Sequence, residues 1–590
     1  MLEKIAKWVE ETVRKLGYPI DQIAGRWGVE HPDELARGDY ATNVALVLGK
    51  EMTKNPMDLA KQIVENLKAS PLEFPKARPW LERIEVAAPG FINFSLTRDF
   101  FTNELKQILE KGNEYSREGI GKRKKIMVEY TDPNPFKEFH IGHLMSNAIG
   151  ESISRLIESQ GNEMKRACYQ GDVGMHVAKA IHGSLKLKAK SAKAIKEWGE
   201  AYAIGAQTYE GDEVTKQEIN ELNKKIYDRR DETINKLYDA GRQASLDYFE
   251  TIYQRLGTKF DYYFFESESG PVGQKLVQDN LGKVFESSDG AIVFRGEKYA
   301  PDLHTRVFLN SDGLPTYEAK ELGLAKLKFE KYPYDRSVVI TGNEVVGYFA
   351  VLKKVLELVL PDLAKRTKHI PHGMLRLPAR LNDRSGGPSR KMSSRTGEVV
   401  TAEALLAEIK STVGRKIAER PFSPAETEKI SEGVTISAVK YSILKQSPGR
   451  DIVFDVAKSL SLEGDSGPYL QYAYVRALAV LEKAKRENIL PNLTQSTASS
   501  ADRPSEISEL EKRLIRFPET VARATFLYSP NLLVTYLTEL ASTFNTYYAT
   551  QKIVDSADPH SPYRLALTSA FSQIMKSGLT LLAIPVLEKM

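Results

Sequence analysis

The sequence is short of cysteine, of long apolar runs and of net charge, and each shortage excludes a class of protein. Its 590 residues include one cysteine, Cys168, which excludes internal disulfides and every zinc site that needs two or more thiolates. No apolar run approaches the roughly 20 residues that a bilayer-spanning helix requires. Lys and Arg number 83 against 78 Asp and Glu, so a nucleic-acid partner has to be argued from local clusters.

Composition and the first residues predict a cytoplasmic protein of several domains. Hydrophobic residues make up 42% of the chain and charged residues 27%, as in ordinary globular proteins. At about 150 residues per domain, the length indicates three or four domains. The start, MLEKIAKWVEETVRKLG, breaks its apolar positions with charges and predicts an amphipathic helix rather than a signal peptide.

The first hundred or so residues predict a small α+β domain. Apolar residues recur at helical spacing from Leu2 to Leu16 and again from Met57 to Leu67. The stretch RIEVAAPGFINFSL then alternates in the manner of strands and is broken at Pro89–Gly90. We predict that this domain spans residues 1–115.

The middle of the chain predicts a parallel sheet. The strand-like run Ile126–Tyr130 is followed by the turn TDPNP, by a helical pattern that ends at Gly161, and by a second strand-like run, Met164–Tyr169. This order is a βαβ unit, and sheets built from such units bind ligands where strand ends meet helix starts. Ser337–Thr341 predicts another buried strand.

Two helical regions complete the predicted architecture. Long, charged, helical patterns over about 180–260 have little strand character and predict an insertion into the sheet domain. From about residue 425 to the end nearly all of the chain has helical patterns. We therefore predict a Rossmann-type α/β domain over 116–425 with a helical insertion, followed by an all-α domain over 426–590.

The segment FHIGHL places two of the nine histidines, His140 and His143, around Gly142 at the expected start of a helix. As metal ligands they lack a nearby cysteine or acidic residue at ligand spacing, and as core residues they need no glycine between them. A third interpretation uses all three residues. Glycine lets a ligand approach the backbone, the N–H groups of a helix start attract anions, and imidazoles add donors, which together favour a phosphate site.

A second segment, RLNDRSGGPSRKMSSRTGEVV, is rich in glycine, serine and cations. One interpretation is a solvated basic loop, as most charge runs are. The other is a movable clamp that brings cations onto a polyphosphate and neutralises leaving pyrophosphate. Its pairing with the histidine segment favours the clamp.

Together, FHIGHL and KMSSR resemble the paired signatures of class I aminoacyl-tRNA synthetases, whose usual forms are His-Ile-Gly-His and Lys-Met-Ser-Lys-Ser. Within that class the whole chain resembles the arginyl-tRNA synthetases. The matching segments, in the family's order, are GDYATNVA, APGFINF, DPNPFKEFHIGHLMSN, CYQGDVG, TYEAKELG and EGDSGPYLQYAYVRA.

This resemblance implies a two-step ligase reaction. Arginine attacks the α-phosphate of ATP to give arginyl-adenylate and pyrophosphate, and the arginyl group then moves to the 2′-hydroxyl of the 3′-terminal adenosine of tRNA(Arg). It also implies that Mg²⁺ arrives with ATP, that the protein has no metal site of its own, and that the chain is a monomer.

The resemblance also assigns the ATP site. The family usually has a second lysine where this chain has Ser394, and Asp-His where this chain has Asn343 and Glu344 beside the ribose. The first departure leaves open whether Lys391 or Arg395 carries the charge. The implied catalytic residues are His140, His143, Lys391 and Arg395, and the implied ATP-binding residues are His140, Gly142, His143, Asn343, Glu344, Lys391, Met392 and Ser393.

Arginine recognition needs carboxylates, because a planar guanidinium donates forked, charge-assisted hydrogen bonds to them. At two positions the chain departs from the family pattern: Glu321 stands in place of the more frequent aspartate and His176 in place of glutamine. The alternative for any one glutamate is an exposed surface residue. The arginine-binding residues that the resemblance implies are Asn134, His176, Glu266, Tyr317 and Glu321.

Contacts to tRNA are implied at both ends of the chain. Phe91, Asn93 and Phe94 match the segment that touches the tRNA elbow, and Tyr469 and Tyr472 match the anticodon-binding domain, where tyrosines stack on unpaired bases. Core packing is the alternative for these tyrosines. The lysine run at 186, 188, 190 and 193 either contacts phosphates or keeps a helix soluble.

Three rival functions remain at this point. The chain could be a class I synthetase for another amino acid, although cysteine specificity through zinc needs more thiols than one. It could be a tRNA-binding paralogue without activity, against which both histidines and Lys391 argue. It could be a small-molecule nucleotidyltransferase, which leaves the long helical end unexplained.

Overall fold

A computed structural model describes residues 1–32, 34–69, 78–117, 123–187, 194–376, 401–493 and 506–590. The chain forms two compact units. The first contains residues 1–116, 473–521 and 536–577, and the second contains residues 117–472, 522–535 and 578–590. Among the described residues, no helix has both the length and the apolar character of a membrane-spanning segment.

The elements up to residue 116, apart from short 3₁₀ turns, are α1 (Leu2–Lys15), β1 (Val29–Glu30), β2 (Tyr40–Thr42), α2 (Val44–Met52), α3 (Pro56–Lys68), β3 (Leu81–Ala87), β4 (Phe91–Leu96) and α4 (Arg98–Lys111). The strands form an antiparallel sheet in the order β1-β2-β4-β3. Its apolar face packs on the helices in a core that includes Trp8, Ile63 and Phe94.

The middle of the chain contains β5 (Lys125–Glu129), α5 (Ile141–Ser159), β6 (Glu163–Gln170), α6 (Met175–Lys186), α7 (Ile195–Gly211), α8 (Glu213–Asp228), α9 (Glu232–Leu256), β7 (Tyr262–Phe265), α10 (Glu266–Asp279), β8 (Glu286–Ser288), β9 (Ala291–Phe294), β10 (Arg306–Leu309), α11 (Tyr317–Lys331), β11 (Arg336–Gly342), α12 (Val346–Val359), α13 (Pro361–Arg366), β12 (Thr367–His372) and β13 (Leu375–Arg376).

The remaining elements are α14 (Ala402–Ile417), α15 (Pro424–Leu444), β14 (Ile452–Val453), α16 (Val456–Ser459), α17 (Gly467–Arg486), α18 (Glu509–Leu514), α19 (Phe517–Phe526), α20 (Pro530–Thr550) and α21 (Ser561–Leu581). β14 pairs with β13, and the other regular elements that the structure describes in this region are helices.

The second unit is built on a five-stranded parallel sheet in the order β12-β11-β5-β6-β7. All four neighbouring pairs are parallel, so the carboxyl ends of the five strands lie along one edge. Helix α5 begins after β5, and α10 begins directly after β7. The turns that follow the strands therefore converge on this edge, which places candidate ligands there.

Helix α5 is fixed to the sheet by a buried carboxylate. Glu151 is 1% exposed. It accepts hydrogen bonds from the Tyr130 hydroxyl at 2.5 Å, from Arg155 Nε at 2.7 Å and from Arg166 Nε at 3.1 Å. Burial alone would raise the pKa of Glu151, but Arg166 and Arg155 hold it below its usual range. The helix start that carries the two histidines is thereby held in a fixed position relative to β5 and β6.

Most predicted elements are confirmed. The βαβ unit is present as β5, α5 and β6, Gly161 follows the α5 cap with a positive φ of 81°, and the elements described between residues 180 and 256 are helices. The antiparallel sheet β10-β9-β8 was not predicted, because strands of three or four residues give too short an alternation to recognise. The predicted domain boundaries at 115 and 425 stay a prediction.

Substituting Gly150 by alanine should loosen α5. A Cβ at Gly150 would lie 2.2 Å from Cγ of Tyr130, a ring that is fully buried and has no space to move into. We expect overpacking to lower the free energy of unfolding by at least about 1–3 kcal/mol. Urea unfolding measures this, with Gly211→Ala as control because a Cβ at Gly211 meets nothing within 4 Å. Equal stability of the two variants would contradict the close packing.

Candidate functional site

The two histidines of FHIGHL form a stacked pair at the start of α5. His140 is the N-cap residue, and its Nδ1 accepts from the Gly142 N–H at 3.1 Å. His143 Nδ1 accepts from the His140 N–H at 3.3 Å, and the ring centroids are 3.6 Å apart. Because each Nδ1 is an acceptor, a neutral ring carries its proton on Nε2. The pair therefore offers two Nε2–H donors beside the positive end of the helix dipole.

Both imidazoles are held neutral. Burial, with the nearby cation of Lys137, lowers the pKa of His140 to about 4. Burial and His140 together hold the pKa of His143 well below its usual value. Burial also lowers the pKa of Lys137 to about 8, and its Nζ lies 4.2 Å from the Tyr202 ring centroid. A lysine and two neutral donors at a helix start suit a phosphate group.

The chain also returns to this helix start from the glycine- and serine-rich segment. Lys391, Met392, Ser393 and Arg395 lie outside the described residues, so their predicted roles have no structural description. After that segment, Thr401 forms an isolated antiparallel bridge with His140, and the Ala402 N–H donates to the Phe139 carbonyl at 2.8 Å. Thr401, the first described residue after the segment, thus lies beside the residue that caps α5.

A second cluster lies around Gly171, directly after β6. A Cβ at Gly171 would lie 2.4 Å from Asn134 Oδ1 and 3.3 Å from Glu266 Oε1, so these two predicted side chains meet over the glycine backbone. His176 Nε2 donates to the Gly171 carbonyl at 2.7 Å. The structure therefore brings Asn134, His176 and Glu266 together, and only glycine fits between them.

Glu266 is paired with a buried lysine. Lys320 Nζ lies 2.6 Å from Glu266 Oε2, and each residue is 4% exposed. Burial raises the pKa of Glu266, and Lys320 partly offsets that shift. The Lys320 ammonium also lies 5.3 Å from the ring centroid of Tyr317, whose side chain is 61% exposed. Tyr317 and Glu266 thus both lie close to the Lys320 ammonium.

Further carboxylates surround Glu321, on α11. Glu129, at the end of β5, is 1% exposed and lies 2.6 Å from Lys328 Nζ. Burial, Glu129 and then Glu266 raise the pKa of Glu321 to about 8, with Lys328 opposing them. Asp132 belongs to the same group, because burial and Glu129 raise its pKa as well. Glu129 and Glu266 are each paired with a lysine, whereas the raised pKa of Glu321 keeps most of this carboxyl protonated at pH 7, so an added cation would favour its ionised form.

Asn343 and Glu344 lie at the carboxyl end of β11, on the same edge of the sheet. Glu344 Oε2 lies 2.6 Å from where a Cβ on Gly342 would be, so its carboxylate folds over that glycine. The neighbouring strand β12 ends at His372. Burial lowers the pKa of His372, and the Gly373 carbonyl and Glu344 partly offset that shift. Asn343 and Glu344 thus follow β11, which is next to β12 and two strands from β6.

In the first unit, the predicted tRNA-contacting residues of β4 differ in exposure. Phe94 is 0% exposed and belongs to the core, so the prediction that its ring contacts tRNA is wrong. The physical reason is the period of two along a strand: Phe94 points to the helices. Asn93 is 7% exposed, and Phe91 is partly exposed at the start of the strand. Phe91 remains the better placed residue.

In the second unit, Tyr469 is 9% exposed and Tyr472 is more accessible. Tyr472 lines a cavity of about 440 Å³ with the terminal Met590 and the cations Lys416 and Arg420. The cavity floor is apolar. Its other lining residues are Val413, Ile417, Ile430, Val434, Leu460, Ser461, Leu462, Glu463 and Pro468. An aromatic side chain beside cations and an apolar floor suits an unpaired nucleobase.

Sequence analysis missed five residues of these clusters. They are Glu129, Asp132, Lys137, Lys320 and Lys328. Glu129 had a usable signal, because it is a charge that ends the apolar run IMV before Tyr130. The two lysines of α11 had none, since they read as a solvated helix face. No group of three or more His, Cys, Asp or Glu in the described part of the chain is placed to hold a metal ion.

Three family models match successive parts of the chain. Residues 3–96 match the arginyl tRNA synthetase N terminal domain, residues 104–456 match the catalytic domain of tRNA synthetases class I (R), and residues 470–590 match the DALR anticodon binding domain. The catalytic model alone covers more than half of the chain.

Relatives of known function match over nearly the full length. An arginine–tRNA ligase from Clostridium perfringens is 30% identical over 570 residues, covering 95% of this chain and 96% of that protein. One from Fusobacterium nucleatum is 30% identical over 560 residues, covering 94% and 93%.

Two solved structures share the fold. The arginyl-tRNA synthetase of Thermus thermophilus superposes with a TM-score of 0.77 at 23% identity, and both chains are covered completely. That of Plasmodium falciparum gives a TM-score of 0.76 at 20% identity, covering 100% and 99%.

Replacing His176 by glutamine should make stability less sensitive to acid. Burial lowers the pKa of His176 to about 3, so the unfolded chain, with a histidine pKa near 6.5, binds the proton first and stability falls as the pH drops below that value. Between pH 7 and pH 5 the parent chain should lose about 2 kcal/mol more unfolding free energy than His176→Gln, whose amide keeps a donor for Gly171. Urea unfolding at both pH values measures this difference. The exposed His304→Gln should behave as the parent, and an equal loss in all three would contradict the burial argument.

Proposed function

The chain belongs to the arginyl-tRNA synthetase family of class I synthetases, and we propose from this premise which of its residues hold each substrate. It is an aminoacyl-tRNA ligase: it activates L-arginine with ATP to arginyl-adenylate and transfers the arginyl group to the 3′-terminal adenosine of tRNA(Arg). The observation that carries the assignment of sites is the convergence of a phosphate-type cluster and a carboxylate cluster on one edge of the parallel sheet.

We assign the ATP phosphates to the start of α5. The Nε2–H donors of His140 and His143 and the cation of Lys137 are in place before any negative charge develops in the transition state, which is how fixed donors accelerate a reaction. Gly142 leaves the helix start open to a ligand. Lys391, with Met392, Ser393 and Arg395, is assigned to neutralising the leaving pyrophosphate, and Thr401, which follows their segment, bridges to His140.

Asn343 and Glu344 are assigned to the ribose of ATP. They follow β11, the strand next to β5, so they lie along the edge on which α5 begins. An amide and a carboxylate are suitable partners for vicinal hydroxyls. Mg²⁺ is assigned to the ATP phosphates rather than to a dedicated protein site; two of the buried glutamates, Glu129 and Glu266, are engaged with lysines.

The carboxylate cluster is assigned to arginine. The guanidinium is a permanently charged fork that pairs with carboxylates in a bidentate manner. Glu266 and Glu129 are each paired with a lysine, and Glu321 adds a negative charge when a guanidinium displaces its proton. Asn134 and His176 frame the same turn, and Tyr317 covers the cluster from its exposed side.

For tRNA we assign Phe91 and Asn93 of β4 to one contact, and Tyr472 with the cavity beside Met590 to an unpaired base. Tyr469 supports Tyr472 from a more buried position. A monomeric chain, a cytoplasmic location and domain boundaries near residues 115 and 425 complete the proposal.

Pyrophosphate exchange with each of the twenty amino acids, with and without tRNA, tests the specificity. The family usually requires its tRNA for arginine activation, so both conditions are needed. The expected result is exchange with arginine and with no other amino acid. Exchange with a different amino acid would support the rival synthetase, and no exchange under any condition would support the inactive paralogue.

Arginine binding should tighten as the pH rises toward 8. Burial and Glu129 raise the pKa of Glu321 to about 8, so at pH 7 most of this carboxyl is protonated, and a guanidinium binds its ionised form. Affinity should therefore rise about ninefold between pH 6 and 7 and about fivefold between pH 7 and 8, with release of nearly one proton per arginine at pH 7. Isothermal titration calorimetry in buffers of different ionisation enthalpy measures both quantities.

The controls for this titration are chemical and genetic. Citrulline, which is neutral, should show no rise in affinity with pH. Glu321→Gln should remove the proton release, whereas Glu330→Gln, an exposed glutamate on the same helix, should leave it unchanged. Equal arginine affinity at pH 6 and pH 8 would rule out Glu321 as the titrating ligand.

His143→Ala and Lys391→Ala should each slow arginine activation by about 100-fold or more, because each removes a donor or cation from developing phosphate charge. Their tRNA affinity should change less than threefold. Pyrophosphate exchange with saturating tRNA and filter binding of tRNA measure the two effects. Lys353→Gln, an exposed lysine of α12, is the control. Loss of tRNA affinity in parallel with activation would refute the phosphate role.

A further inference from the structure

The second unit contains a cationic cavity at the opposite edge of the parallel sheet. It has a volume of about 430 Å³ and lies where β5, β11 and β12 begin. Its polar lining is Lys124, Gln160, Asn162, Arg336, Lys368 and Thr525, and its apolar lining is Ile126, Ile157, Ala522, Phe526 and Tyr528. All of these residues belong to the second unit. The size is within the usual range of small-molecule sites.

The charges of this cavity are unbalanced. Lys124, Arg336 and Lys368 line it, and no carboxylate does. None of the three side chains forms an ion pair with another described residue, although ion pairs are frequent elsewhere in this unit. Three like charges around one concavity repel each other, and a bound anion relieves that repulsion. The cavity therefore selects a ligand with negative charge.

The aromatic side of the cavity is unusually accessible. Phe526, at the end of α19, is 81% exposed, and Leu527 beside it is 48% exposed. Tyr528 follows with a positive φ of 52°, in the left-handed region, which turns the chain so that it lines the same cavity. Large exposed aromatic side chains next to cations are typical of surfaces that stack nucleobases.

This cavity is separate from the site at the carboxyl edge. Its strand residues lie at the beginnings of three strands: Ile126 is the second residue of β5, Lys368 is the second of β12, and Arg336, which pairs with Ile126, is the first of β11. β5 is 5 residues long, so the two edges are roughly 16 Å apart at about 3.3 Å per residue. A ligand of nucleotide size does not reach both edges along the strand.

The polar walls are held in place by the backbone. Asn162 Oδ1 accepts from the Lys124 N–H at 3.3 Å, and Asn162 Nδ2 donates to the Ile157 carbonyl at 3.1 Å. The Thr525 hydroxyl donates to the Leu156 carbonyl at 3.3 Å, which joins the aromatic segment to the end of α5. The strand starts and the aromatic segment therefore form one preformed concavity.

We propose that this cavity binds a nucleoside phosphate, with the phosphate against Lys124, Arg336 and Lys368 and the base against Phe526 and Tyr528. The shared chemistry, a phosphate next to a flat base, occurs in a free nucleotide and in an exposed nucleotide of bound RNA. The alternative is a solvated cationic surface without a specific site. In that case the nucleobase would contribute nothing to the affinity.

The test uses AMP as probe on the full-length chain, with the catalytic site blocked by a non-hydrolysable arginyl-adenylate analogue. Calorimetry should detect one further AMP site, while adenosine and inorganic phosphate bind more weakly. Lys124→Gln/Arg336→Gln/Lys368→Gln should weaken AMP binding at least tenfold. Phe526→Ala should weaken AMP binding but not phosphate binding, and since this side chain is exposed, the variant tests the cavity even if the triple variant does not fold.

A second arm separates the two sources. If bound tRNA supplies the nucleotide, tRNA should compete with AMP, and the triple variant should have a log–log salt dependence of tRNA binding shallower by about two to three. If a free nucleotide is the ligand, AMP should bind equally well to the tRNA complex. Lys353→Gln is the matched control in both arms. The proposal would be overturned if AMP did not bind once the catalytic site is blocked and if both variants bound tRNA like the parent chain. That result would leave the ligase function unaffected.

Discussion

The parallel pairing of β5 with β6 on one side and with β11 on the other is the constraint on which the rest of the second unit depends. It puts the turn after β5, the Gly171 turn after β6 and the residues after β11 on one edge, although they are up to about two hundred positions apart in the chain. Glu151 then fixes α5 against this sheet through Tyr130, Arg155 and Arg166. These contacts hold α5, and with it His140 and His143 at its start, in position on the sheet.

Buried charged side chains determine what can bind at the edge formed by the carboxyl ends of the parallel strands. Two lysine–glutamate pairs are almost completely removed from water, and replacing a buried ion pair by apolar residues is often neutral or favourable for stability, so stability alone does not explain them. Beside them lies Glu321, whose carboxyl ionises when a cation binds, and the neutral imidazole pair with Lys137 lies at the start of α5. One end of the edge thus attracts a cation and the other an anion, as a reaction between arginine and ATP requires.

Sequence spacing located the site residues best where the spacing itself defines a local structure. His140, Gly142 and His143 were predicted to lie at a helix start, and they do, because a proline-rich turn followed by helical spacing leaves few other structures. Asn134, His176 and Glu266 were named only through resemblance, and their meeting at Gly171 depends on a strand order that local pattern does not contain. Phe94 was misassigned because exposure on a strand depends on which face the helices cover.

The sequence by itself determined the helices, the long strands of the parallel sheet, the paired signature segments and the family, since each is encoded in local periodicity or in contiguous motifs. Only the tertiary structure decided that Glu129 pairs with Lys328 and Glu266 with Lys320, and that Lys124, Arg336 and Lys368 line one cavity. The physical reason is that charge pairing and cavity formation depend on distances between chain segments far apart in sequence, which strand order and helix packing set.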